Sequence, residues 1–399
     1  MSLPRPRLAA GLCVAGVLLS AVVVVQALQT IGAFGPSPSE RVADAWSQFA
    51  LPPGKRDLAR IDAMAKGALA DNPLQANAAS LMAVVAEQRA DRPRAAQLMQ
   101  AAARLSRRDD IADFWLFNHY MDARRYDKAM LHGDALLRRR FQVVSQQVYP
   151  RILMSFNDPA LADVVAKRLV MKPEWRGSFI STAVQGFQDP SSAFLVYSAI
   201  QRAGGQPTTV EIAPYLTRLL EAKKYEEAYL SWILFLPQST VSQLENIYDG
   251  RFDGWPETPP FGWNFEQGVR GSIESAESYN GAGSALRIDF DALTAPKLPR
   301  QILILTPGTY RFSGKALTAN EDSAGRVKWT ISCDAAPDLL PLIPLVDTRG
   351  SWRPFAGVFT VPEGCKGQWL ELKSIPGEQR ANVEVWFDDL AIERVDTAG

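Results

Sequence analysis

"GRFDGWPETPPFGWNF", Gly250–Phe265, packs two Trp, three Phe, three Pro and three Gly into one short run. Before it lies a long stretch rich in Ala, Leu and Arg, with apolar residues at helical spacing. After it, apolar residues alternate with polar ones. A change of period from about 3.6 to about 2 separates helical from pleated architecture. The stretch therefore marks a domain junction near residue 246. It is expected to hold the first strand of the second domain and the loop after it, with its aromatics packing at the hinge and rim. Trp255, Trp263 and Trp352, all in Pro/Gly contexts, are expected at the edge of a core.

Downstream, "ALRIDF", "QILIL", "TYRFSGKAL", "RVKWTISC", "FAGVFTV", "QWLELKSI" and "NVEVWFDDLAI" are short alternating runs separated by Gly, Pro, Asn and Asp. Such a series indicates an all-β sandwich over residues 247–396. Alternation also sorts the faces. Tyr310, Phe312, Val327, Trp329, Ile331, Leu370, Leu372, Val383, Val385 and Phe387 share the apolar phase and should form the core. The opposite phase carries Arg311, Lys315, Lys328, Trp369, Glu371, Lys373, Glu384 and Trp386. Two tryptophans among charges are the anomaly. A flat indole covers the C–H face of a sugar while charged neighbours bond its hydroxyls. Trp369, Trp386, Glu371, Glu384, Arg311 and Lys315 are therefore the candidate ligand-binding set. Burial of the two tryptophans under a loop or the helical domain is the competing account.

Upstream, residues 39–246 read as helical hairpins. "NPLQANAASLMAVVAEQRADRPRAAQLMQAAARL" breaks at Asp91-Arg92-Pro93, where Pro93 fits a first helical turn. Ala95, Met99 and Ala102 open one second helix. Ala129, 34 residues after Ala95, opens the next, followed by Gly133 and Leu136. Ala228, Trp232 and Phe235 repeat the arrangement. A small residue lets paired helices approach, and a large one fills the groove between pairs. "RRYDKAM" and "KKYEEAY" resemble the turn-and-helix segment of the tetratricopeptide repeat family. The resemblance implies an all-α solenoid that binds protein partners or holds domains apart, with no catalytic residues to carry over.

The N-terminal run Leu8–Leu28 is uncharged and reaches about 30 Å as a helix, the thickness of a bilayer core. Arg5 and Arg7 precede it, and the next charge is Glu40. The charge bias places residues 1–7 in the cytoplasm, a transmembrane anchor at 8–31 and the rest outside. A cleaved signal peptide is the alternative. In a bacterium this makes a single-pass inner-membrane protein with its bulk in the periplasm. In that oxidising compartment Cys333 and Cys365, flanking sandwich strands, read as a disulfide; two buried free thiols are the other reading.

Lys+Arg and Asp+Glu number 43 each, which excludes nucleic acid as the main partner. Only two His and three Cys occur, with no zinc spacing. "GTYRFSGKA" (308–316) imitates a phosphate loop, but it has one residue too many between its glycines and lies on a strand. His119 and His132 read as packing or surface histidines. "LLRRRF" (136–141) reads as a solvated helix end, or as a contact for an acidic polymer. Glu371 and Glu384, placed on one sheet face, are the only pair considered for glycoside cleavage.

Four segments in order resemble carbohydrate-binding modules and galactose-binding-like jelly rolls: Asp249–Asp253, Gly283–Arg287, Pro307–Ser313 and Phe387–Asp389. The resemblance implies a jelly-roll sandwich, a glycan ligand and a structural calcium where the first and last strands meet, at Asp253 and Asp389. No other cofactor is expected. The whole chain then reads as multidomain: transmembrane helix, tetratricopeptide-like solenoid, carbohydrate-binding-like sandwich. The expected function is a non-enzymatic scaffold or adaptor in exopolysaccharide or envelope-polysaccharide assembly or export. A pure protein scaffold and a glycan-modifying enzyme are the alternatives.

Overall fold

The computed structural model describes residues 36–242, 244–254, 260–264, 271–277, 283–333, 338–341, 343 and 345–395. The expected membrane anchor, 8–31, lies outside the described residues, as does Trp255. Among the described residues no helix is long and apolar enough to cross a membrane. The chain divides into two compact units, Met1–Val165 and Ala166–Gly399.

The first unit is helical: α1 (Pro38–Phe49), α2 (Leu58–Asp71), α3 (Ala76–Gln88), α4 (Arg92–Leu105), α5 (Asp110–Asp122) and α6 (Tyr126–Leu153), with α7 (Pro159–Val170) crossing the division. Each of α1 to α5 packs on the next. Side-chain oxygens satisfy the free N–H groups at the helix starts. Ser37 and Glu40 form a reciprocal capping box at α1, and Asp57, Asp91 and Asp109 cap α2, α4 and α5. Ala95, Met99, Ala102, Ala129 and Leu136 are fully buried.

The hairpin turns share one backbone device. Ala90 and Arg124 sit in the left-handed region at φ 61° and 53°. The next N–H reaches back to a carbonyl five residues earlier, Asp91 to Ala86 and Arg125 to Tyr120. This satisfies a carbonyl that the helix end leaves open. The basic run is neutralised on the spot. Arg138 pairs with Asp134, Arg139 with Asp110 and Asp113, and Arg140 with Asp110. Arg140 also breaks the α6 helix, at φ −130° and ψ 34°. Each of the three arginines of this run thus has a carboxylate partner, and Arg138 and Arg140 remain exposed.

The second unit opens with α8 (Arg176–Gly186), α9 (Phe194–Arg202), α10 (Thr209–Glu221), α11 (Tyr225–Phe235) and the short α12 (Gln238–Val241). Arg176 and Glu211, both largely buried, form a two-pronged ion pair at 2.6 and 2.9 Å that ties α8 to the start of α10. Burial alone would raise the Glu211 pKa; Arg176 and the Thr208 N–H outweigh it and hold it below the ordinary range.

Among the described residues eight strands follow: β1 (Gly271–Glu277), β2 (Ser284–Asp291), β3 (Lys297–Leu303), β4 (Gly308–Thr318), β5 (Val327–Ser332), β6 (Arg353–Val361), β7 (Gln368–Ser374) and β8 (Asn382–Arg394). They form a five-stranded sheet, β1-β2-β8-β4-β6, and a three-stranded sheet, β3-β7-β5, antiparallel throughout. All ten residues expected in the apolar phase lie in the core between the sheets. The phosphate-loop look-alike lies on β4.

The Gly250–Phe265 stretch differs from expectation. Its described residues 250–254 form a turn, not a first strand. The reason is local. The Asp249 carboxylate accepts the N–H groups of Asp253 and Gly254 at 2.9 and 3.3 Å, and Asp249 and Phe252 adopt φ 53° and 57°. A side chain that bonds its own backbone a few residues on competes with a strand ladder. A Cβ on Gly250 would stand 2.0 Å from the Leu390 carbonyl oxygen, so only glycine admits this approach to β8. The described aromatics, Phe252, Phe261 and Trp263, are structural. Phe252 and Trp263 enter the sandwich core, and Phe261 packs on Tyr229 and Trp232 of α11.

Candidate functional site

The polar-phase residues divide between two outer faces. On the three-stranded sheet, register sets three cross-strand rows: Lys297–Lys373–Lys328, Arg300–Glu371–Thr330 and Ile302–Trp369–Ser332. Trp369 is half-buried, and the Arg300 guanidinium lies over its ring at 4.8 Å. That is cation–π distance. Glu371 lies 3.5 Å from Lys373 Nζ. At the Trp369 end of β7, the Tyr225 ring of α11 presses on Gly367, where a Cβ would meet it at 2.6 Å.

The five-stranded face carries Trp386, Glu384, Arg311 and Lys315. Trp386 is only 7% exposed, packed with Ala285 and Leu317 beneath Trp352. Its Nε1–H donates to Glu384 Oε1 at 3.2 Å, and Arg287 Nε donates to the same oxygen at 3.1 Å. Lys315 bonds Asp389 at 2.6 Å. Arg311, exposed on β4, stands opposite Glu393 of β8.

The six candidate ligand residues therefore do not form one site. Trp369 and Glu371 lie on one sheet; Trp386, Glu384, Arg311 and Lys315 lie on the other. The expectation that Glu371 and Glu384 share a face is corrected: β7 and β8 belong to different sheets. The sequence reading missed Arg300, Arg287 and Lys297. Arg287 was visible as the polar member of "ALRIDF". Arg300 and Lys297 were hidden because Pro299 and a register shift between them break the alternation.

Cys333 and Cys365 are bonded, Cα to Cα 5.6 Å, and join the end of β5 to the loop before β7. Beside them the buried Gln368 amide donates to the carbonyls of Cys365 and Leu305 and accepts the Leu305 N–H. The β5–β7 end under Trp369 is thus fixed twice.

Asp253 and Asp389, the residues expected to hold calcium, have different surroundings. Asp253 belongs to an acidic group with Asp249 and Asp388. Burial raises the Asp388 pKa, with the charges of Asp389 and Asp253 adding to it. Burial, and then Asp253, does the same to Asp249. Asp389 instead turns to Lys315, with Arg251 at 4.0 Å, because its backbone is left-handed at φ 50°. Asp389 is engaged with Lys315, and Asp388 feels the charges of both Asp389 and Asp253. A hollow of about 510 Å³ opens there, lined in part by Glu245, Tyr248 and Arg251. Among the described residues no group of three or more His, Cys, Asp or Glu converges as a metal site.

In the helical unit His132 Nδ1 lies 2.6 Å from the buried Asp113, and His119 stacks on Trp115. Both are packing histidines.

No protein-family model matches the chain, and no characterised protein matches it in sequence. Solved structures do resemble it. The xylan-binding domain CBM22-1 of Paenibacillus barcinonensis Xyn10C covers 37% of this chain and 94% of its own, at 15% identity and TM-score 0.27. The N-terminal cellulose-binding domain of Cellulomonas fimi β-1,4-glucanase C covers 38% and 98%, at 19% identity and TM-score 0.26. TmCBM61, solved with β-1,4-galactotriose, covers 38% and 97%, at 15% identity and TM-score 0.26. At such scores the likeness carries no ligand with it. The chain has a helical N-terminal region and a C-terminal β-sandwich resembling carbohydrate-binding modules.

Proposed function

We propose that this chain is a non-enzymatic, membrane-anchored periplasmic adaptor whose sandwich holds a glycan and whose tetratricopeptide-like helices hold protein partners. Polysaccharide assembly or export is the process it fits. The observation that carries the glycan assignment is Trp369. It stands in the polar phase of β7, half-buried, with Arg300 over its ring and Glu371 in the next cross-strand row. An amphipathic ring beside a cation and a carboxylate suits a sugar better than it suits water. Affinity electrophoresis of the full-length chain through gels containing acidic and neutral polysaccharides tests this. At least one polymer should retard the chain, and Trp369→Ala should abolish the retardation. Migration unaltered by every polymer would leave a pure scaffold.

That second reading has its own support, since Trp386 is sealed under Trp352 and α11 already presses on the β7 end. The anchor is tested by fractionation: the chain should stay with inner membranes until detergent is added, and release by salt alone would remove the anchor. A structural calcium, expected at Asp253 and Asp389, remains part of this reading as a proposal, and calcium chloride added to the full-length chain should then raise its thermal midpoint.

A further inference from the structure

The outer face of the three-stranded sheet carries more positive charge than a neutral sugar requires. Lys297, Lys373 and Lys328 stand opposite one another on three successive strands. Strands lie about 4.8 Å apart, and like charges directly opposite in a sheet repel. Asp338 is 3.9 Å from Lys328 Nζ and 3.8 Å from Lys373 Nζ, and Glu371 is 3.5 Å from Lys373 Nζ, so two carboxylates stand among the four cations Lys297, Arg300, Lys328 and Lys373 of this face. These lysine side chains stay 34% and 40% exposed. The other outer face is unlike this. There Arg287 is held by Glu384 at 3.1 Å and Lys315 by Asp389 at 2.6 Å, each cation with one short carboxylate contact, and Arg311 is exposed.

We infer that the three-stranded face recognises a polysaccharide bearing carboxylates on its sugars, a uronate polymer. Trp369 covers the apolar face of one sugar. Lys373 and Lys328 stand two cross-strand rows along, about 13 Å away, and meet carboxylates borne two or three sugars further on in a chain that runs along β7. Asp338 is then the internal counter-ion that a bound carboxylate displaces. This rests on the proposal that the sandwich binds a glycan, and it adds the class of glycan and the face that takes it.

The test is calorimetric titration of the full-length chain with polygalacturonate, dextran sulfate, and neutral xylan and galactan, at about 0.15 M ionic strength. The variants are Lys328→Gln with Lys373→Gln, Asp338→Asn, and Trp369→Ala, each checked for a cooperative thermal transition well above the titration temperature. Polygalacturonate should bind and the neutral polymers should not. The double lysine variant should weaken binding at least tenfold, and Asp338→Asn should tighten it severalfold. Neutral polymers bound as tightly as polygalacturonate, with the lysine variant unchanged, would overturn the uronate assignment and leave the glycan reading standing. Dextran sulfate bound equally, with Trp369→Ala without effect, would reduce the face to a general polyanion surface and overturn it too. Failure of every polymer to bind would remove both readings.

Discussion

The sandwich has two outer faces, and each carries one tryptophan among charges. On the five-stranded face Trp386 is buried, its indole N–H and its Arg287 neighbour both bonded to Glu384. On the three-stranded face Trp369 is half-buried under a single guanidinium, two cross-strand rows from three lysines. Two residues alike in sequence context thus do different work. One closes a small satellite core, and its polar partners are internal. The other keeps its ring half-buried on a face that also carries the partly exposed Lys328 and Lys373, which is what a surface that takes a ligand requires.

Removing each tryptophan should separate the two faces most sharply. Trp386→Ala should cost about 3–5 kcal/mol in urea unfolding, as large-to-small changes at buried aromatics do. Trp369→Ala should cost less than half of that and lose glycan retention instead. Equal stability losses would mean the faces do not differ. Next in size is the disulfide, which staples only the three-stranded sheet. By the chain-entropy model a loop of this length is worth about 3–4 kcal/mol. Cys333→Ser with Cys365→Ser should lower stability by that amount and weaken glycan retention with it.

Smaller effects belong to the acidic end of the five-stranded sheet. Burial raises the Asp388 pKa, so the folded chain holds more protons than the unfolded one between the ordinary aspartate value and the raised one. Stability then falls as pH rises through that interval. Asp388→Asn should remove the fall and raise the midpoint at pH 7 by about 2–4 °C, read by scanning fluorimetry at acid and neutral pH. Calcium chloride should raise the wild-type midpoint at neutral pH. A midpoint indifferent to calcium would end the calcium proposal. The smallest effect is expected at Arg311. Arg311→Ala should leave stability within about 0.5 kcal/mol, as for exposed surface changes, and leave glycan retention intact.

The alternation of apolar residues was enough to place every expected core residue, because facing inward is a property of one strand. It could not say which sheet a strand joins. β7 and β8 follow one another in the chain and share the same phase, yet pair with different neighbours, so Glu371 and Glu384 looked adjacent and are not. β1, "GSIESAE", gave no signal because Ser and Glu interrupt its alternation. In the helices the break points were legible from Asp91 and Pro93, but not the left-handed turn residues. Ala90, Arg124 and Lys223 adopt φ 61°, 53° and 58° where glycine is the usual signal. The turn at 249–254 was missed for a related reason: Asp249 satisfies the backbone with its own carboxylate.

Lysine footprinting tests the contrast between the faces most directly. The full-length chain is acetylated with and without polygalacturonate, and each site is quantified by mass spectrometry. Polymer should protect Lys328 and Lys373 severalfold and leave Lys315 as reactive as before. Protection of Lys315, with the row on the three-stranded sheet unchanged, would contradict the account.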